Sequence, residues 1–127
     1  MRNVVRAGAT GIALATVLLS NPATAQAADP LQRVSGAGCA SAGNNTFRCF
    51  DNFAGGIAPY TATATTSNNY SSISRITLSG DSAGFEVVVY GYCTSGKGVT
   101  VTLTVSDSSG QTVTSIRNST CGSISEI

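Results

Sequence analysis

No histidine occurs among the 127 residues, and that absence decides most of the chemistry. Ser-His-Asp and Cys-His catalysis both need an imidazole to carry the proton, so neither can be assembled within this chain. The usual general base near neutral pH is missing with it. Lys97 is the sole lysine, and Gly96-Lys97-Gly98 reads as a turn, a poor place to desolvate and activate an amine. Asp51, Asp81, Glu86 and Asp107 remain as candidates for a glycosidase pair. Nothing in their spacing places two of them across a cleft. Turn formation accounts for Asp81 and Asp107, because an Asp side chain can accept from the backbone two residues on. A calcium site on Asp81 or Asp107 with loop carbonyls has the right donor type, but the alternating acids of an EF-hand loop are absent. The reading is a non-enzyme with no catalytic residue, no cofactor and no metal.

The cysteines are the remaining reactive groups. There are four, Cys39, Cys49, Cys93 and Cys121, without C-x-x-C spacing and without histidine to complete a zinc shell. In a short exported chain they read as two disulfides, which leaves no thiol nucleophile. Three pairings exist, and Cys39–Cys49 with Cys93–Cys121 is favoured. Residues 99–105 (Val-Thr-Val-Thr-Leu-Thr-Val) and 111–116 (Gln-Thr-Val-Thr-Ser-Ile) alternate about Ser106-Asp-Ser-Ser-Gly110, the pattern of a β-hairpin. With its turn centred on Ser108-Ser109, opposing residue numbers sum to about 217, so Cys121 lies a few residues from Cys93. Loop-closure entropy puts that bridge at roughly 3 to 4 kcal/mol and the shorter one at roughly 3.

The elements that must position these groups begin after residue 27. Arg2 and Arg6, an apolar run over 7–19, the break at Asn21-Pro22 and Ala25-Gln26-Ala27 make a secretory signal peptide, cut between Ala27 and Ala28 or, as the alternative, after Ala25. The run is shorter than the ~20 residues a membrane span needs. Gly36-Ala37-Gly38-Cys39 lacks the leucine of a lipobox. The expected product is extracellular, free of the membrane and monomeric. Residues 28–38 are a lead-in, loosely ordered or an edge strand; 39–122 form one domain; 123–127 are a tail. Five bases (Arg33, Arg48, Arg75, Lys97, Arg117) nearly balance the acids, so no basic patch exists to bind nucleic acid by charge. Residues 39–49 enclose a turn-rich loop. Strands are expected over 46–53, 60–66, 74–78 and 85–93, followed by the hairpin, with turn signals every 8 to 12 residues or so. The fold class is an all-β antiparallel sandwich.

Gly55-Gly-Ile-Ala-Pro-Tyr-Thr-Ala-Thr-Ala64 resembles the Gly-Gly-x-x-Pro-Tyr strand of PKD-type and related immunoglobulin-like domains. Residues 99–110 are similar to that family's closing Val-Thr-Val-Thr hairpin. The four cysteines look like those of small exported variants of this domain in actinobacteria. The family's core tryptophan is missing, and Ala62 and Ala64 stand where bulky aromatics are usual. The resemblance implies an Ig-like sandwich that serves as a spacer or as a protein- or carbohydrate-binding module, without enzymatic activity.

A binding surface is expected on the strand over 85–93. Phe85, Val87, Val89 and Cys93 point one way; Glu86, Val88, Tyr90 and Tyr92 point the other. Val88, Tyr90 and Tyr92, near Tyr60 or Tyr70, would form a platform for a sugar or a partner protein, because tyrosine joins an apolar face to a hydroxyl. The competing expectation is that another strand or the N-terminal segment covers this face. A protease inhibitor is the first alternative, with Arg48 before Cys49 and the proline-containing loop 54–59 as the rigid elements. The cysteine spacing does not resemble the subtilisin inhibitors of streptomycetes. A small-molecule carrier is the second, since the enediyne-binding apoproteins share a sandwich with two disulfides.

Overall fold

The structure, a computed structural model, describes residues 17–19, 29–67 and 69–122. The signal peptide with its Ala27/Ala28 cleavage site and the 123–127 tail lie outside them, save for the backbone of a three-residue strand, β1 (Val17–Leu19). The other strands are β2 (Gln32–Gly43), β3 (Thr46–Ala54), β4 (Tyr60–Thr66), β5 (Ser71–Asp81), β6 (Gly84–Cys93), β7 (Gly98–Ser106) and β8 (Thr112–Thr120). They form two antiparallel sheets, β1-β4-β7-β8 and β2-β3-β6-β5. Three hairpins (β2-β3, β5-β6, β7-β8) stay within a sheet, and the connections between them cross from one sheet to the other.

The period-2 pattern explains which faces meet. Tyr60, Ala62 and Ala64 of β4 and Val99, Val101, Leu103 and Val105 of β7 are buried. They pack against Phe47, Cys49 and Phe53 of β3, Ile76 of β5 and Phe85, Val87 and Val89 of β6 in one core. Ala62 and Ala64 contribute little volume, and aromatics elsewhere fill the space. Tyr60 stacks on Phe85 at 4.3 Å between centroids, and Phe53 on Phe85 at 5.7 Å. The Tyr60 hydroxyl donates to Gly55 O at 2.7 Å, which satisfies it inside the core. Gly91 is required by close approach: a Cβ there would lie 2.2 Å from Ser72 O and 2.4 Å from the Phe47 ring.

Three local readings change. The 39–49 segment is no loop, because β2 runs to Gly43 and Asn44-Asn45 make a two-residue turn with φ of 44° and 64°. Two consecutive left-handed residues define the type I′ turn whose twist suits a hairpin, and asparagine tolerates that region. Of the two readings of residues 28–38, the edge strand holds: they supply Leu31 to the core and the first part of β2, which lies at the edge of its sheet. The strand expected over 74–78 spans Ser71–Asp81, with a register shift between Ile73 and Arg75 that broke its alternation in the sequence. In the closing hairpin Ser106 faces Thr112 and Gly98 faces Thr120, one residue from the expected register, because the turn centres on Ser109.

Both expected disulfides form. Cys39–Cys49 joins directly paired residues of β2 and β3, with Cα atoms 4.0 Å apart. Cys93–Cys121 joins the end of β6 to the residue after β8, so it staples one sheet to the other. Two such bridges fit an oxidising compartment. Among the described residues no helix is long and apolar enough to cross a membrane.

Candidate functional site on the outer face of the β2-β3-β6-β5 sheet

The four carboxylates considered for catalysis sit in four unlike settings. Asp51 alternates inward on β3 with Cys49 and Phe53 and is 1% exposed. Its Oδ2 accepts from Arg33 Nε at 2.8 Å, Ser115 Oγ at 2.5 Å and an Arg117 terminal nitrogen at 3.4 Å. Ser115 and Arg117 belong to β8, so this ion cluster ties the two sheets together. Asp107 is buried in the closing turn. Its Oδ1 accepts from the Ser109 and Gln111 amides, and its Oδ2 from Ile57 N and Gln111 Nε2, at 2.8–3.0 Å. Burial alone would raise its pKa, but the donors of Ile57, Ser109 and Gln111 outweigh it and hold the carboxyl below the ordinary value. Asp81 accepts from the Ala83 amide at 3.0 Å, the turn role expected of it. Glu86 lies on the outer face of β6. No group of three or more His, Cys, Asp or Glu residues that could hold a metal occurs among the described residues.

The outer face of β6 is where the aromatic and basic residues gather. Strand register lines up Arg48 of β3, Tyr90 of β6 and Arg75 of β5 in one row across the sheet. The rows to either side hold Phe50, Val88 and Thr77, and then Thr46, Tyr92 and Ser72. The Arg75 guanidinium lies over the Tyr90 ring, 4.0 Å from its centroid, and Arg48 lies 5.8 Å from the Phe50 centroid. Arg75 is the largest influence on the Tyr90 phenol; burial opposes it, Arg48 adds to it, and the pKa ends below the ordinary tyrosine value.

Beyond this row, Tyr92 is the most exposed large apolar side chain described, at 59%, and Tyr70 is 49% exposed. The two share a shallow depression of about 220 Å³ with Asn69, Ser71, Ser72 and Thr94. Lys97 Nζ lies 4.7 Å from the Tyr70 ring centroid. At the opposite end of the sheet a second open depression of about 340 Å³ is lined by Val34, Asn52, Glu86 and Phe85 among others.

The structure therefore puts Val88, Tyr90 and Tyr92 on one face, but gives them different access. Val88 is 6% exposed, flanked by Phe50 and Thr77 in its row; Tyr90 is half-buried under Arg75; Tyr92 is open. Tyr70 stands beside Tyr92, whereas Tyr60 is fully buried in the core and takes no part. Arg48, weighed for a protease-binding loop, lies inside β3 and is paired on both sides, with Ala40 and Tyr90. Loop 54–59 is held by Gly55 and Gly56 amides donating to Ser82 O and Asp29 O and by Ile57 N on Asp107. Sequence reasoning did not single out Arg75 or Lys97 as members of the face; Arg75 would have been found only through the shifted register of β5. No family model, curated protein or solved structure matches this chain.

Proposed function

We propose that the protein is a secreted, non-enzymatic binding module of the Ig-like, PKD-related kind, and that its ligand is a carbohydrate held on the outer face of β6. The observation that carries this reading is the pair Tyr70 and Tyr92, exposed on a depression otherwise lined by an amide, hydroxyls and Cys93. An aromatic ring supplies the flat apolar surface that the C–H face of a sugar stacks on, and the polar lining supplies partners for its hydroxyls. Tyr92 has no ring or cation partner among the described residues, so its face is open for such stacking. Rigidity supports the reading too. The depression adjoins the Cys93–Cys121 staple, so little ordering entropy is lost on binding.

The test is retention of the disulfide-bonded protein on insoluble or gel-embedded polysaccharides. Tyr92→Ala and Tyr70→Ala are expected to lose retention at least tenfold while keeping the wild-type circular dichroism and melting temperature. Retention unchanged in both variants would discard the reading.

A further inference from the structure

Every base in the described chain has a partner, and the partners fall into two classes. Arg33 and Arg117 are paired with Asp51. Arg48, Arg75 and Lys97 are instead laid against aromatic rings, and no carboxylate lies within ion-pair distance of any of them among the described residues. Arg48 and Arg75 are the informative pair. They flank Tyr90 from the two neighbouring strands, and Arg75 lies over its ring. Two guanidiniums thus stand on either side of one tyrosine in a single row of the outer face without an opposing charge. A guanidinium stacked on a ring keeps its N–H edges free for a planar anion. The nearest acid on the face is Glu86, four residues along β6 from Tyr90. At about 3.3 Å per residue that is some 13 Å away, beyond the ~8 Å screening length of physiological salt.

We infer that the Arg48–Tyr90–Arg75 row binds a carboxylate carried by the sugar polymer, so that the ligand class is an acidic, uronate-bearing glycan. This rests on the carbohydrate reading of the Tyr70/Tyr92 depression and adds its charge. Tyr90 and Tyr92 are two residues apart on one face of β6, about 7 Å. A sugar ring stacked on Tyr92 therefore places a substituent of its own or of the adjoining unit above the arginine row. The fork of each guanidinium matches a carboxylate in plane, and the Tyr90 hydroxyl between them offers a further hydrogen bond. Lys97 beside Tyr70 extends the same sign of charge to the far rim of the depression.

The experiment is affinity electrophoresis of the disulfide-bonded protein in gels holding polygalacturonate, its fully methyl-esterified form, or polyphosphate. The three gels separate sugar backbone from charge and carboxylate from phosphate. Wild type is expected to be retarded at least tenfold more by polygalacturonate than by the esterified polymer, with the difference falling as salt rises. Arg48→Gln/Arg75→Gln should abolish that difference while leaving retardation by the esterified polymer, and the melting temperature, unchanged. Equal retardation by the acidic and esterified polymers would overturn the inference and leave the carbohydrate reading standing. So would a double variant that still prefers polygalacturonate, or stronger retention on polyphosphate. Tyr92→Ala is the separate arm: loss of retardation by the esterified polymer supports the stacking site, and its persistence removes the carbohydrate reading on which the inference rests.

Discussion

Two buried acids show how one residue type serves two structural purposes. Asp107 gathers backbone and side-chain donors from its own turn and from Ile57 fifty positions upstream, so the carboxylate organises the turn and pins the loop between β3 and β4. Its pKa in the fold lies below that of the unfolded chain, where an Asp titrates near 3.9. The unfolded state therefore binds the proton more readily. The stabilisation is complete above about pH 4 to 5 and is lost as pH falls through the lower folded value. Urea midpoints from pH 7 to pH 2.5 should fall more steeply for wild type than for Asp107→Asn. The variant should already be weaker at pH 7 by about 1.5 to 3 kcal/mol, as for loss of a hydrogen bond to a charged group. Asp51 is different, since its partners are two guanidiniums and a hydroxyl drawn from both sheets. Asp51→Ala leaves the buried Ser115 hydroxyl without its acceptor and two part-exposed guanidiniums without their carboxylate, and should cost about 1 to 3 kcal/mol in chemical denaturation. A cost under 1 kcal/mol would show that the cluster is not the inter-sheet tie described.

At the scale of the element, hairpin geometry sets what the site can be. The β2-β3 turn uses two left-handed asparagines, and a β-branched residue there meets a penalty of about 1 to 2 kcal/mol. Asn45→Val should lower stability by about that amount, whereas Asn45→Gly should hold or raise it, read from thermal melts. Gly91 makes a matching prediction on β6. Gly91→Ala forces a methyl against Ser72 O and the Phe47 ring, and overpacking of that kind costs about 1 to 3 kcal/mol. Strands β4 and β7 were legible from alternation because each has one clean apolar face. β5 was not, because the register shift near Ser74 breaks its alternation and hides that Arg75 stands across from Tyr90. The tyrosine face of β6 was legible; the distinction between open Tyr92, stacked Tyr90 and enclosed Val88 was not, since it depends on neighbours supplied by β3 and β5.

For the whole molecule, the disulfides act on different scales. Cys39–Cys49 closes a short loop within one hairpin, and Cys93–Cys121 closes 28 positions and clamps the sheets at the end where the tyrosine depression lies. Cys93→Ala/Cys121→Ala should lose roughly 3 to 4 kcal/mol, and Cys39→Ala/Cys49→Ala roughly 3, by loop-closure entropy. The first variant should also weaken polysaccharide retention when compared well below its melting temperature, because Cys93 itself borders the depression. The second should leave retention unchanged. Equal effects of the two on retention would mean that the depression does not depend on its staple.

The sequence by itself determined the all-β class, most strand positions and the face of β6 that carries the tyrosines, and it favoured the disulfide pairing that forms. Those properties follow from local rules: side chains alternate along a strand, and a hairpin turn fixes which cysteines can meet. Only the tertiary structure decided that Tyr60 fills the core, that Asp51 joins the sheets, and that Arg48 and Arg75 flank Tyr90. Each of these depends on which strands become neighbours across a sheet or across the sandwich. That choice is made by packing between segments dozens of residues apart, and no local pattern records it.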